Sequence, residues 1–340
     1  MKCAVIFGGS GFIGCYFASE LLKSNIYKKV YLYDIENLSS KFTDFRTKLI
    51  EGDERVEFIT GDVRKVIDIN THNDEVSLIA NFAAVHREPG HKNYEYYETN
   101  LLGAKNVCEW SEKVNCKNII FTSSISPYGV SEKTKDEYSL PCPNTAYGSS
   151  KLAAEKIHET WFYKDEHNKN LIIVRPGVVF GPGEGGNVSR LIKAVKKRYF
   201  FFMGNKETIK AGIYIKELTN MMLWSIQNRN QFKRKFILFN ATMNPGPSIA
   251  DYVDSICRVS NIKRFILNVP FIFLLTLSFF IDLFLKLLRI NHPFSPLRIK
   301  KLVRSNNIIP KFLIDNKYEY IFTLDEALND WKKDYPEEWF

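Results

Sequence analysis

The chain is predicted to be an α/β protein: a doubly wound parallel sheet, with a smaller, mostly C-terminal region beside it. Three observations carry this. Short apolar runs rich in β-branched residues alternate with stretches of helical periodicity through the first half. The first such run, "KCAVIF", leads through a glycine-rich turn into a helix. Beyond about residue 175 the alternation becomes irregular, with no internal repeat and no low-complexity linker. The later region is therefore expected to pack on the first and close a cleft over it. The expected division is 1–175, with return segments near 205–240, and 176–340.

The turn reads "FGGSGFIG", Phe7 to Gly14, and holds Gly8, Gly9, Gly11 and Gly14 out of 18 glycines in the chain. Gly8 permits a tight turn, Gly11 has no Cβ to hold phosphates away, and Gly14 lets the helix pack close to the sheet. The helix that follows carries Phe12, Ile13, Phe17, Leu21 and Leu22 at helical spacing. A dinucleotide diphosphate rests on free backbone N–H groups at such a helix N-terminus, so Gly8, Gly11, Phe12 and Ile13 are expected to meet a cofactor. The second strand, Val30 to Tyr33, ends in Asp34. A carboxylate there accepts hydrogen bonds from adenosine ribose hydroxyls and repels a 2′-phosphate, and Ile35 brings no cation to offset that. The pattern is that of a Rossmann-type domain that takes NAD in preference to NADP.

Further strands are expected at Val56–Thr60, Val76–Phe82, Asn118–Thr122 and Leu171–Val174. The helical stretches "NLLGAKNVCEWSEKV" and "SSKLAAEKIHETWFYK" lie between them. Asp34, Asp62, Asn81 to Ala84, and Ser123 with Ser124 all fall at the carboxyl ends of these strands. Ligands of doubly wound sheets bind at those ends. Later, "GPGEGGN" reads as a loop, "KAGIYIKELTNMMLWSIQ" as a strand and a helix, and "KFILFNATMNPGPSIADYVDSI" as a strand, a loop and a helix.

Composition sets the bounds. Hydrophobic residues make up 45% and aromatics 14%, enough for a sizeable core. The first strand begins too early for a signal peptide. Six cysteines show no CxxC spacing and six histidines form no HExxH cluster, so reduced thiols, a cytoplasmic setting and no metal are expected. The net charge of +9 gathers late, in "IKRF", "LKLLRI" and "PLRIKKLVRS". No nucleic-acid motif accompanies it, which leaves an anionic substrate, a membrane surface or a solvated basic face.

Candidate chemistry lies in "AYGSSKLAAEK". Tyr147 and Lys151 are four apart, on one face of a helix near its start. A phenol is a poor base near neutrality, and a nearby ammonium favours the phenolate. The pair would move a proton at a substrate hydroxyl while a hydride moves to or from nicotinamide. "FTSSISPYG" ends a predicted strand, and Ser124 is the expected donor that orients the substrate oxygen.

With these pieces in view, the chain resembles the extended short-chain dehydrogenase/reductases of the NAD-dependent epimerase/dehydratase family. The resemblance runs from residue 1 to about 220, through "GGSGFIG", "YDIE", "TGDVR", "NFAA", "TNLLGAKNV", "FTSSISPYG", "YGSSK" and "RPGVVFGPGE". It implies that Asp62 and Val63 lie near the adenine and that Ala83 and Ala84 line the cofactor channel. It also implies a catalytic Ser124, Tyr147 and Lys151, with Pro176 and Val178 bordering the nicotinamide. Asn100 belongs to the family's helix pattern. Members of the family often pair through a four-helix interface, which here implies a homodimer through the helices near 100–114 and 151–163.

Departures from the family's patterns narrow the reaction. Sugar 4,6-dehydratases carry Asp-Glu after the catalytic hydroxyl residue, where this chain has Ile125 and Ser126. Fucose-type synthases use a Cys and a His where Ser126 and Gly183 stand. What remains is chemistry at one carbinol carbon: a nucleotide-sugar 4-epimerase or 4-ketoreductase. Ser126, Asn187, Arg190 and Lys210 are the expected substrate contacts, Lys210 standing where many relatives place an Arg. Against this, Val178 replaces an Asn of many nucleotide-sugar enzymes, and "RPGVVFGPG" looks more like the 3β-hydroxysteroid dehydrogenase branch. A hydrophobic or lipid-linked hydroxyl substrate therefore stays open, as does an NAD-holding sensor or scaffold without turnover. The apolar stretch Phe265 to Ile290 is interrupted by Asn268, Pro270, Asp282 and Lys286. It has three readings: helices lining the pocket, a peripheral membrane patch, or a spanning helix.

Overall fold

The computed structural model describes residues 2–38, 44–88, 90–273, 276, 279 and 305–339. Much of the apolar stretch, including 280–290, lies outside the described residues.

The first half alternates as its pattern requires: β1 (Lys2–Phe7), α1 (Phe12–Ser24), β2 (Lys29–Asp34), α2 (Asp44–Lys48), β3 (Val56–Thr60), β4 (Glu75–Asn81), α3 (Asn93–Lys113) and β5 (Asn118–Thr122). After a short β6 (Ser131–Lys135) come α4 (Ala146–Tyr163) and β7 (Asn170–Pro176). The later chain adds β8 (Val178–Phe180), α5 (Asn187–Lys196), β9 (Phe202–Met203), β10 (Gly212–Tyr214), α6 (Ile215–Gln227), β11 (Phe236–Ala241) and α7 (Ile249–Val259). It closes with β12 (Asn268–Val269), β13 (Asn306–Ile308), α8 (Lys311–Asp315) and α9 (Leu324–Asp334).

The main sheet has the order β11-β7-β5-β4-β1-β2-β3, and every neighbouring pair is parallel. Continuous apolar strands build it because both faces are covered. On one face Ala4, Ile6, Leu32 and Ala80 meet Phe17 and Leu21 of α1 and Leu218 and Met222 of α6. On the other, Val5, Phe7, Tyr31 and Ile79 meet Val107 and Trp110 of α3 and Ala154 and Trp161 of α4. Strand order reverses between β1 and β4, which opens a crevice at their carboxyl ends.

Strand limits differ from the sequence reading by a residue or two: β2 and β7 are longer at both ends, and β4 starts one residue earlier. β4 ends at Asn81 rather than Phe82, although the Phe82 N–H still donates to Phe7 O at 2.8 Å. The strand in "KFILFNA" becomes β11 and pairs with β7 at the edge of the main sheet. Three short parallel pairs build the later region: β8 with β10, β9 with β12, and β6 with β13.

α4 is anchored at both levels. Thr145 Oγ1 accepts from the Gly148 N–H at 3.1 Å and caps its start. Further along, Glu155 takes a two-pronged contact from Arg175 of β7, with Nε at 2.8 Å and Nη2 at 2.6 Å. Both side chains are almost wholly buried. Removing one member of such a pair leaves an uncompensated charge in the interior. Glu155→Ala should cost about 3–5 kcal/mol of stability, read by denaturant unfolding. A loss under 1 kcal/mol would mean that the pair does not anchor α4.

Candidate active site

The site begins at the turn between β1 and α1. Gly8 has φ +76°, and a Cβ there would meet Ala83 N at 2.6 Å, so the turn lies hard against the residue that follows β4. A Cβ on Gly14 would come within 2.3 Å of Gly8 O, which is why the helix packs so close. At Gly11 an added Cβ meets only Gly8 O, at 3.1 Å. The protein itself scarcely fills that space, and a diphosphate approaching the helix N-terminus needs it. Phe12 and Ile13 open α1 directly behind. Asp34 ends β2 and accepts from the Ser10 N–H at 3.1 Å, which ties the carboxylate to the turn. A bare cradle and an acid at the ribose position together fit a dinucleotide such as NAD.

Ser124, Tyr147 and Lys151 come together beyond β5. The Ser124 hydroxyl lies close enough to the Tyr147 phenol to lower its pKa, and it donates to Ser126 Oγ at 3.1 Å. Lys151 is 2% exposed, with Nζ 4.3 Å above the Phe121 ring. Burial pushes the Tyr147 phenol up to about 12, with the Glu88 carboxylate adding to the rise and the Ser124 hydroxyl opposing it. Burial pulls Lys151 down to about 7, opposed by Glu155. The sequence reading expects the Lys151 ammonium to favour the phenolate. In the structure the ammonium lies against an aromatic face instead, and burial dominates both groups.

The other expected residues fall as follows. Ala83 and Ala84 follow β4 against the glycine turn. Pro176 O accepts from the Ile125 N–H at 3.1 Å, so Pro176 lies next to the loop of Ser124, and Val178 starts β8 just beyond. Asp62 is held by Arg64 through Nε at 3.0 Å and Nη2 at 2.7 Å, while Val63 is buried. Val178 faces Gly212 across β8 and β10, which brings the Lys210 backbone alongside; the Lys210 N–H donates to Pro247 O at 2.9 Å. Asn187 and Arg190 lie on the first turn of α5 and bond each other at 2.7 Å.

Several residues around the site have no role assigned by the sequence reading, Asn100 of the helix pattern among them. Asn100, buried on α3, clamps the loop after β4 through Val85 N at 3.0 Å and Val85 O at 3.3 Å, and donates to Ser150 Oγ at 2.8 Å. The clamp presents His86, Arg87 and Glu88 to the crevice. His86 is reached by solvent on one side, yet its pKa is lowered by the protein around it and by the charges of Arg87, Lys151 and Arg46. Arg46 lies 5.2 Å over the Phe12 ring and donates to Gly183 O at 2.8 Å. Gly183 in turn donates to Glu338 at 3.2 Å, so the rim of the glycine turn is tied to the later chain. The sequence carries one signal for the loop: the charged run "HREPG" begins shortly after the carboxyl end of β4.

Comparison with known proteins agrees with this geometry. The model of the NAD dependent epimerase/dehydratase family matches residues 4–238. An N-acetyl-alpha-D-glucosaminyl-diphospho-ditrans,octacis-undecaprenol 4-epimerase of Escherichia coli O157:H7 is 25% identical over 96% of this chain and 92% of its own length. A UDP-glucose 4-epimerase of Bacillus subtilis (strain 168) is 33% identical over 45% of this chain and 46% of its own length. The chain thus spans about half of that second relative. A UDP-glucuronic acid 4-epimerase of Bacillus cereus, solved with UDP-glucuronic acid and NAD, shares the fold with a TM-score of 0.72 at 20% identity, covering 100% of both chains.

The lysine gives the site a pH signature. An ammonium is favoured by an anionic ligand, so dinucleotide affinity should be greatest below about pH 7, where Lys151 is charged. It should fall as the pH rises through that value, by up to about tenfold per unit. Calorimetric NAD titrations between pH 6 and 9 should show this decline, and Lys151→Met should flatten it. A wild-type profile as flat as that of the variant would remove Lys151 from the cofactor site.

Proposed function

The chain belongs to the NAD-dependent epimerase/dehydratase family, and on that premise we propose that it is a 4-epimerase of a hexose carried on a diphosphate. It is an enzyme, and NAD is its cofactor. When bound, NAD supplies a hydride acceptor and donor at the carbinol carbon. The chain's own residues do the rest. Ser124 orients the C4 oxygen, and Tyr147 takes and returns its proton. Lys151 holds the nicotinamide ribose. Asp34 holds the adenosine ribose, and the turn from Gly8 to Ile13 receives the diphosphate. Asp62 and Val63 border the adenine, Ala83 and Ala84 the channel, and Pro176 and Val178 the nicotinamide.

The observation that carries this reading is the Ser124–Tyr147 pair with Ile125 and Ser126 beside it. One proton exchanger stands there, and neither neighbouring position supplies the acid that elimination needs. Ser126, Asn187, Arg190 and Lys210 are the proposed contacts to the sugar and diphosphate. A nucleoside-diphosphate hexose fits these cations. The hydroxysteroid alternative is not favoured, since a neutral substrate makes no use of them. An intact proton exchanger also speaks against a sensor that only holds NAD.

A second reading of the carrier has its own support: a prenyl diphosphate in place of a nucleoside diphosphate. The relative aligned over almost the whole chain is named for a polyprenol-linked sugar. Phe265, Ile272 and Phe273 are 89%, 75% and 60% exposed. β12 pairs with β9, which sets that segment beside Tyr199 and Phe201, also exposed. Lys197, Arg198 and Lys263 stand among them. Among the described residues no helix is long and apolar enough to cross a membrane. A peripheral patch is the proposal that suits these facts. The proposed homodimer would form through α3 and α4, which pack side by side and expose Tyr94, Tyr97 and Leu102.

Enzyme with NAD, incubated with UDP-hexoses and separately with prenyl-diphosphate-linked N-acetylhexosamines, should interconvert C4 epimers of at least one. Tyr147→Phe should lower that rate by about 10²-fold or more. Reduction of NAD by 3β-hydroxysteroids, without conversion of any sugar, would overturn the reading.

For the patch, the protein should float with anionic vesicles, at twice the chain mass by light scattering in their absence. Phe265→Ser with Phe273→Ser should weaken flotation. Vesicle binding unaffected by that double change, or absent in the wild type, would remove the patch.

A further inference from the structure

One titratable side chain lies fully buried within reach of the catalytic lysine and has no part in the proposed reaction. His158 is 0% exposed. It follows Lys151 by seven residues on α4, two turns along the same face. Its Nδ1 lies 2.8 Å from Ala154 O, so Nδ1 carries the proton and donates it. Nε2 then keeps its lone pair and accepts from Asn81 Nδ2 at 3.2 Å. The neighbours on either side thus fix both the tautomer and the ring orientation. Burial holds the imidazole down to about 4, so it is neutral at working pH.

The ring of His158 stacks on Phe121, with centroids 4.1 Å apart and planes 18° apart. The Lys151 ammonium sits over that same phenylalanine, 4.3 Å from its centroid. A ring face is electronegative and favours a cation placed above it. Other charged or titratable groups around Lys151 are few. Tyr147 and Glu155 share its helix, His86 faces it from the loop after β4, and Glu155 is already engaged by Arg175 of β7. The aromatic face therefore stands beside Glu155 as a feature that favours the buried ammonium.

We propose that His158 is a positioning residue: pinned between Ala154 and Asn81, it fixes the Phe121 ring on which the Lys151 ammonium is seated. The inference rests on the reading that Lys151 holds the cofactor. The sign follows from the geometry. A well-placed ring face favours the charged lysine, so losing it makes Lys151 give up its proton at lower pH.

The test reads Lys151 directly, by NMR of ¹³Cε-lysine in cofactor-free protein, with Lys151→Met assigning the signal. The wild type should titrate near pH 7. His158→Leu and Phe121→Leu should each move the midpoint down by about half a unit or more, equivalent to a ~threefold change in the protonation equilibrium. The double variant should move it little further than Phe121→Leu alone, because the histidine acts through the ring. His158→Gln, which keeps a neutral hydrogen-bonding group there, should shift it less than His158→Leu and guards against a leucine variant that does not fold. A midpoint unmoved in folded His158→Leu or His158→Gln, even with lowered thermal stability, would reduce His158 to a core residue, as would full additivity in the double variant. If the Lys151→Met variant binds NAD as the wild type does, the lysine reading falls instead. The two failures are thus separable.

Discussion

The buried contact between Glu155 and Arg175 fixes the helix on which the whole site is mounted. α4 carries Tyr147, Lys151 and His158, and among the described residues its charge-to-charge tie to the sheet is this pair on β7. Arg175 is itself seated 4.7 Å from the Tyr128 ring centre, and the Tyr128 hydroxyl donates to Asn240 of β11 at 2.9 Å. Asn240 in turn donates to Ile309 O at 3.0 Å and, through its N–H, to Glu137 at 2.8 Å. One ion pair thereby links α4, two strands of the main sheet and the later chain. Each polar group in the series has a partner, which is what makes such a buried network tolerable.

From that anchor the site follows from sheet direction. All strands of the main sheet run parallel, so the glycine turn, Asp34, the loop after β4 and the serine loop after β5 emerge on one edge. Their contacts are made by backbone as much as by side chains: Gly8 against Ala83, Ile125 on Pro176, Val178 on Ala211. This division explains why the cofactor cradle tolerates almost no side chain while the surrounding loops carry charge. His86, Arg87 and Glu88 follow Val85, whose backbone is held by Asn100.

Legibility from the sequence tracks how local the cause is. The glycine spacing, the acid after β2 and the Tyr–Lys spacing are short-range patterns with one dominant structural solution, and the apolar runs marked the strands to within about a residue or two. β11 reads as a strand from its own residues, but its place beside β7 depends on a return from a distant segment. The burial that reverses the expected Tyr147–Lys151 balance is a tertiary property; no spacing reveals that Phe121 lies under the ammonium. His158 looks like any histidine on an apolar helix face until Asn81 and Phe121, from two other strands, close around it. Arg46 is similar: its tie to Gly183 spans 137 residues of chain.

The chemistry proposed for the site asks little of the carrier. Epimerisation at C4 needs the hexose to present either face to the cofactor, so the hexose itself has to stay loosely held. The fixed points are then Ser124 and Tyr147 at the reacting oxygen and the cations that meet the diphosphate. Everything beyond the second phosphate contributes to binding but not to proton transfer. The elements available for that part are α5, the segment leading into β10 and the β9–β12 pair, all outside the main sheet and free to differ without disturbing α4. A nucleoside and a prenyl chain would make opposite demands there, one for stacking and hydrogen bonds, the other for apolar surface. Exposed Phe265, Ile272 and Phe273 supply the second kind on the same side of the chain's order as α5 and β9. On the proposed chemistry, carrier choice is a property of the later region, and reaction choice a property of the sheet edge.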